Sequence, residues 1–217
     1  IEIAKMRLIL AMESLKKPDL IINKEIQKGK SKFPLNLRVG NSVLGYNFKD
    51  PHISGKSNEV KDHFNESLFE KIASESKPKI SYEQFLNMKP FHWSIEFPDI
   101  IKENGFDIII GNPPYIKEYD NRSSFLALKA NPYYQGKADI WYIFACESLD
   151  LLKPRGILSY IAQNNWITSF GAKKMRDKFR ESGQLIEFID FNENRIFSNA
   201  EIQTMIFLAI NQPPETN

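Results

Sequence analysis

A short apolar run that leads straight into two consecutive prolines is the feature that most constrains this fold. The run Phe-Asp-Ile-Ile-Ile-Gly occupies residues 106–111, and Asn112-Pro113-Pro114-Tyr115 follows directly. β-Branched residues beside glycine favour a buried strand, and the two prolines fix two φ angles and remove two backbone N–H groups. The sequence therefore predicts a strand with a stiff corner at its carboxyl end, where open α/β sheets place their ligands.

This corner carries groups that suit the binding of a planar amine. The side-chain oxygen of Asn112 and the carbonyl of Pro113 can each accept an N–H, and the ring of Tyr115 can stack on an aromatic ligand. The alternative is a proline-rich turn in which Tyr115 packs on the surface. An Asn-Pro-Pro-Tyr string occurs by chance in on the order of one chain in a thousand of this size, so we favour a functional site.

The pattern of apolar residues predicts alternating helices and strands. Helices are predicted over residues 1–16, 66–74, 138–153 and 171–182, with one helical turn near 123–129. Strands are predicted over residues 35–39, 106–111, 157–162, 185–191 and 202–210. This alternation indicates an α/β fold with a mostly parallel sheet. The connection 192–201 is too short for a helical crossover, so the last two strands are expected to pair antiparallel.

The composition is that of one globular domain. Of 217 residues, 42% are apolar and 26% charged, and the net charge of +2 neither requires nor excludes nucleic acid. Cys146 is the only cysteine, which excludes an intrachain disulfide and favours a reducing, cytoplasmic setting, and we expect it in the core. No stretch approaches the ~20 apolar residues of a membrane span. The three histidines lack metal-ligand spacing, so we expect no metal, and His92 is expected to be packed.

Several segments resemble a known family. Residues 107–115 resemble the catalytic motif of the N6-adenine DNA methyltransferases of the NPPY, gamma-like type, and most closely the methylase portion of type II or IIG restriction–modification enzymes. Segments at 38–45, 90–98, 139–156 and 195–208 resemble further parts of that family in the same order. The resemblance implies part of a Rossmann-like methyltransferase fold with an antiparallel C-terminal strand.

The resemblance also implies a function, with alternatives. It implies methylation of the N6 amino group of adenine in double-stranded DNA, with S-adenosyl-L-methionine as methyl donor and the target base flipped out of the duplex. A methyltransferase of another amine, such as a protein glutamine or an RNA base, remains open because the tetrapeptide occurs there too. A non-catalytic nucleic-acid-binding fragment is the third reading.

Roles for individual residues follow from the resemblance. Asn112 and Pro113 would accept from the target amine, and Tyr115 and Phe197 would enclose the flipped base. Asn41, together with Asn112, would contact the cofactor, although many related enzymes carry an acidic residue at the position of Asn41. The alternatives are core packing for Phe197 and a turn after Gly40 for Asn41.

Two groups of basic residues bear on contact with DNA. One group flanks the corner and is better placed to touch phosphates, which position DNA without reading its sequence: Lys117, Arg122, Lys129 and Lys137. The other group lies on the helix predicted over 171–182, for which a solvated helix face is the default interpretation.

The family's Gly-rich cofactor loop is not found in these residues. We therefore expect residues 1–211 to be the catalytic portion of a domain whose first strands precede them, with an insertion-like stretch at 46–100. Residues 212–217 are expected to be a linker towards a target-recognition domain. A fused nuclease or specificity domain is compatible with this reading, and we expect these residues alone to bind the cofactor poorly and to be inactive.

Overall fold

The structure, a computed structural model, describes residues 38–46, 58–75, 80–192, 194 and 202–213. The described residues from Asn41 onward belong to one compact unit. Four strands form its sheet in the order β1-β2-β4-β3, where the strands are β1 (Phe106–Gly111), β2 (Leu152–Gln163), β3 (Gln184–Asp190) and β4 (Thr204–Ile210). β1 and β2 are parallel, whereas β4 is antiparallel to both β2 and β3.

The sheet confirms the predicted α/β class with its antiparallel last strand. Three strands run in one direction and only β4 runs against them, and β3 and β4 pair antiparallel as the short connection required. The sequence did not indicate that β4 inserts between β2 and β3. This insertion brings the start of β4 to the edge of the sheet where β2 and β3 end, with Thr204 opposite Gln163 and Met205 opposite Asp190.

Six α-helices surround this sheet in the described residues. They are α1 (Asn58–Glu75), α2 (Tyr82–Asn87), α3 (Trp93–Glu96), α4 (Pro98–Lys102), α5 (Ile140–Leu151) and α6 (Lys173–Ser182). Ten of the twelve residues of α5 are buried, as expected for a helix that is apolar on all sides. α6 buries only Met175 and Phe179 and is otherwise charged. The core therefore centres on α5, where Trp141 and Cys146 are fully buried, the latter as predicted.

The segment before β1 contributes to the same core. Phe64, Leu68 and Ile72 of α1 are buried, so this helix packs as a structural element and begins eight residues before the predicted start at 66. His92 is fully buried, with its two ring nitrogens 3.2 Å from the backbone N of Tyr46 and 2.9 Å from Oδ1 of Asn65. Burial lowers the pKa of His92 to about 4. The prediction that His92 is packed is confirmed by its burial.

One expectation about β1 is wrong. Its run of apolar residues predicted a buried strand, but Ile108 and Ile110 are 57% and 78% exposed, and β1 is an edge strand of the described sheet. Successive strand residues face opposite sides, and in β1 Ile109 packs against the core, as does Phe106 at the start of the strand, before the irregularity in its pairing with β2. A run of isoleucines shows that a strand can be buried, but it does not show which other elements of the protein cover its two faces.

The remaining predicted elements agree in type and differ at their ends. β2 begins five residues before the predicted 157, and the turn predicted at 123–129 is two 3₁₀ turns, Arg122–Phe125 and Ala127–Ala130. The helix predicted over 1–16 lies outside the described residues, as does most of the strand predicted over 35–39.

Candidate active site

The corner after β1 starts at a glycine that admits no side chain. Gly111 pairs with Tyr160 of β2, and a Cβ atom at Gly111 would lie 2.9 Å from Cε1 of that ring. Tyr160 is buried, and its hydroxyl lies 2.6 Å from Oγ of Ser148 on α5. The ring therefore cannot move aside easily, and the close approach of the two strands fixes the point at which Asn112 leaves the sheet.

The four residues of the corner differ in exposure in a way that suits a site. Asn112 and Pro114 are exposed, Pro113 is buried, and Tyr115 is half-buried against the core. The Tyr115 hydroxyl lies 2.7 Å from Oδ1 of Asn112 and 2.9 Å from the carbonyl oxygen of Ile161 on β2. Burial and, secondarily, the charge of Asp139 raise the pKa of Tyr115 to about 12. The hydroxyl therefore keeps its proton at neutral pH.

Asp139 holds the chain in place where it leaves the corner. Its Oδ1 accepts hydrogen bonds from the backbone N–H of Ile116 at 3.1 Å and of Trp141 at 3.4 Å, so one carboxylate joins the corner to the start of α5. The residue is 2% exposed, and its Oδ2 has no hydrogen-bond partner among the described residues. Burial raises the pKa of Asp139 to about 6, against the opposing effect of the N–H groups at the helix start.

A cavity of about 720 Å³ opens beside the corner. The four basic residues predicted to contact DNA phosphates, Lys117, Arg122, Lys129 and Lys137, all line it. The structure thus brings together four cations that are spread over twenty-one positions of sequence. Glu118 and Asp139 are the acidic residues of the lining, and aromatic side chains make up much of the rest: Tyr119, Tyr134 and Tyr142.

The other predicted site residues are not part of this lining. The cavity begins at Lys117, two residues past Tyr115, and neither Tyr115 nor Asn112 lines it. Phe197 lies outside the described residues. Asn41 is partly buried; its backbone N–H donates to the carbonyl of Lys89 at 2.7 Å and its carbonyl accepts from Leu44 at 3.0 Å. Only its side-chain amide is without a partner in the described part of the chain.

Three amide side chains at the end of β2 were missed by the sequence reasoning. Gln163, Asn164 and Asn165 line a second cavity of about 390 Å³, which shares Lys117 and Asn165 with the first. Nδ2 of Asn164 lies 3.2 Å from both carboxylate oxygens of Asp190 at the end of β3. The available signal was three consecutive amides directly after a predicted strand, at the same sheet edge as the corner.

The basic helix α6 is occupied by contacts within the protein. Its cations contact the helix's own Asp177, the carboxylate of Asp150 on α5, and backbone carbonyls of neighbouring loops. The contacts are Lys173–Asp177 at 2.6 Å, Arg180–Asp177 at 2.8 Å, Lys178–Asp150 at 2.8 Å, Lys174 to the Pro132 carbonyl at 2.7 Å, and Arg176 to the Trp166 and Ser169 carbonyls at 2.6 and 2.7 Å. The side chains of α6 therefore stabilise the loops that contain Pro132, Trp166 and Ser169, beside the cavity.

Comparison with known proteins identifies the family. The sequence model described as "Eco57I restriction-modification methylase" matches residues 1–197. The chain belongs to this family. The predicted recognition is thereby confirmed, and the corner of Asn112 to Tyr115 lies within the matched region.

Individual relatives agree with the family. The chain is 31% identical over 147 residues to RM.MjaORFECS2P of Methanocaldococcus jannaschii, a candidate type II restriction enzyme and methyltransferase. It is 28% identical over 134 residues to type II methyltransferase M.BanIII of Aneurinibacillus aneurinilyticus, and 29% identical over 150 residues to type II restriction enzyme and methyltransferase RM.Eco57I of Escherichia coli. The matches cover 67%, 59% and 65% of the chain but only 12%, 23% and 14% of the three relatives.

Metal clusters and membrane-spanning helices are both absent from the described part of the chain. No group of three or more His, Cys, Asp or Glu side chains there is arranged to hold a metal ion. None of the helices in those residues combines the length and apolar composition of a membrane span.

Proposed function

We propose that this chain is the catalytic portion, over residues 1–211, of an enzyme that methylates the N6 amino group of adenine in DNA as part of restriction–modification. The observation that carries the proposal is the corner itself: the hydroxyl of the half-buried Tyr115 contacts the exposed amide of Asn112 at the carboxyl end of β1. Family membership supports methylation. The names of two relatives join a restriction enzyme to a methyltransferase, which supports a nuclease or specificity domain in the whole protein.

The chemistry that this corner favours starts from the weakness of the amine. The N6 lone pair of adenine is delocalised into the ring, which makes the nitrogen a poor nucleophile. Oδ1 of Asn112 and the carbonyl of Pro113 accept the two N6 hydrogens, which favours a more tetrahedral nitrogen with its lone pair directed at the methyl group. Because both acceptors stand on a proline-fixed turn, they are oriented before the substrate arrives. The N6 proton is lost to solvent water during or after transfer.

The methyl donor in this proposal is S-adenosyl-L-methionine, which when bound supplies the methyl group from its sulfonium. The residues present fit one edge of such a molecule. Asn112 is exposed at the corner, and the free side-chain amide of Asn41 can pair with the polar edge of an adenine ring. These two residues are the ones we assign to the donor.

The target base has to leave the duplex to reach the corner. Flipping costs a few kcal/mol, and stacking on an aromatic ring offsets roughly 1–3 kcal/mol of that cost. The ring of Tyr115 provides one wall, and Phe197 is assigned to the other. Lys117, Arg122 and the other cations of the 720 Å³ cavity would hold phosphates next to the extruded nucleotide.

Transfer of tritiated methyl groups tests this function. The whole protein that contains this chain should label DNA and leave RNA and glutamine-containing protein substrates unlabelled, and Asn112→Ala in that protein should abolish labelling because one of two acceptors is removed. Asn87→Ala, at an exposed position of α2, is the matched control and should retain the rate. Undiminished labelling by Asn112→Ala would show that the corner takes no part in the reaction. Labelling of RNA or protein in place of DNA would show that DNA is not the substrate.

A further inference from the structure

The Tyr115 hydroxyl contacts two oxygens but has only one hydrogen. It lies 2.7 Å from Oδ1 of Asn112 and 2.9 Å from the carbonyl oxygen of Ile161. A phenol can donate a single hydrogen bond and can also accept one. The hydroxyl can donate its hydrogen to only one of the two oxygens. In the other contact, oxygen lone pairs would face each other and repel, unless the partner group supplies a hydrogen.

The two partners differ in what they can supply. A carbonyl oxygen only accepts, and Ile161 lies one residue past Tyr160, where the pairing of β1 with β2 ends. The amide of Asn112 can present either its oxygen or its NH₂, because a rotation of 180° about Cβ–Cγ exchanges the two. Both contacts are satisfied together only when the hydroxyl donates to Ile161 and accepts from Nδ2 of Asn112.

We propose that the Tyr115 hydroxyl orients the Asn112 amide, holding Nδ2 inward so that Oδ1 is presented outward as the acceptor for the target amine. This inference rests on the proposed function. It gives Tyr115 a positioning role through its hydroxyl that is separate from the stacking role of its ring. The high pKa of Tyr115 agrees with it, because a phenolate would have no hydrogen for Ile161.

The opposite orientation is unproductive for a definite reason. With Nδ2 outward, the corner presents N–H donors to an amino group that also points its hydrogens at the corner, and two donors repel. Asn112 is exposed, so little else restrains its amide. Loss of the hydroxyl therefore leaves the acceptor in place for only part of the time.

A double-mutant cycle separates orientation from stacking. Tyr115→Phe keeps the ring and should lower the rate of methyl transfer from bound DNA by about fivefold, the worth of one hydrogen bond, with DNA affinity almost unchanged. In an Asn112→Asp background the two carboxylate oxygens are equivalent, so Tyr115→Phe should cost less than about twofold there. Tyr46→Phe, which removes a hydroxyl 3.0 Å from Ser67 Oγ, is the control and should retain the rate.

A second measurement does not depend on activity. In protein labelled with ¹⁵N at asparagine, the Nδ2 signal that disappears in Asn112→Ala belongs to Asn112. One of its two hydrogens should exchange with water more slowly than the other, and this difference should vanish in Tyr115→Phe. Equal exchange of the two hydrogens in the unaltered protein, or an equal loss of rate from Tyr115→Phe in both backgrounds, would overturn the orienting role.

Failure of this inference can be told apart from failure of the proposed function. If Asn112→Ala leaves DNA methylation intact, the proposed function fails whatever the hydroxyl does. If Asn112→Ala abolishes methylation while Tyr115→Phe changes neither rate nor exchange, only the orienting role fails.

Discussion

Replacing the buried acid of α5 should make the protein more stable at neutral pH. Glu147 is 4% exposed, and Oε1 accepts a hydrogen bond from Nδ2 of Asn131 at 2.6 Å. Burial, reinforced by the charge of Asp150, raises the pKa of Glu147 from 4.5 to about 8. Glu147 and Lys71 of α1 both line a cavity of about 270 Å³. Glutamine has nearly the same shape and keeps an oxygen for Asn131, so Glu147→Gln removes the ionisation alone.

The sign and size of the effect follow from the two pKa values. The pKa of Glu147 is higher in the folded state, so the protonated form stabilises the fold below pH 4.5, and this contribution is lost as the pH rises from 4.5 to about 8. Each pH unit in this window costs about 1.4 kcal/mol. At pH 7 the loss is at most about 3 kcal/mol, and Glu147→Gln should recover most of it.

Urea unfolding followed by circular dichroism at pH 5, 6, 7 and 8 measures this directly. The difference in unfolding free energy between Glu147→Gln and the unaltered protein should grow with pH and level off near pH 8. Glu83→Gln, at an exposed position in the first turn of α2, is the control, and its unfolding free energy should differ from that of the unaltered protein by the same amount at every pH. A difference for Glu147→Gln that is constant across this range would refute the reasoning, because only ionisation of the buried acid makes it depend on pH.

Substitutions at three further positions test the contacts around the corner. Asp139→Asn, which keeps an oxygen for the N–H groups of Ile116 and Trp141, should retain most of the transfer rate, while Asp139→Ala should lower it about tenfold or more, since two hydrogen bonds are lost. Lys137→Glu should weaken DNA binding and lower the slope of log K against log salt by about one or more, measured by fluorescence anisotropy; Lys173→Glu should not. Gly111→Ala should lower the unfolding free energy by about 1–3 kcal/mol, because the new methyl group meets the ring of Tyr160.

Local patterns accounted for the parts of the fold that are decided locally. α5 was predictable because a stretch of twelve residues, nine of them apolar, follows the capping residue Asp139 and ends before Pro154. The antiparallel pairing of β3 and β4 was predictable because the connection between the two strands is too short to hold a crossover helix. The insertion of β4 beside β2 was not predictable, because local sequence patterns do not show which edge of the sheet an antiparallel strand will join.

The site divides in the same way. The corner could be found from sequence because its chemistry lies in four consecutive residues. The cation-lined cavity and the amides of Gln163 to Asn165 depend on which loops converge at one edge of the sheet. That convergence is set by strand register, which no single segment encodes. The contact between the Tyr115 hydroxyl and the carbonyl of Ile161 spans forty-six positions and could be seen only in three dimensions.

The number of positive charges in a segment does not by itself predict where DNA would bind. α6 holds the densest group of cations in the sequence, yet each of its five cations contacts an acidic side chain or a backbone carbonyl of the same chain. A cation that already satisfies a partner must break that contact before it can neutralise a phosphate. The four cations beside the corner are fewer, but they line one open volume, which begins at Lys117, two residues past Tyr115. Their shared volume, and not their number, is the reason to expect the DNA backbone there.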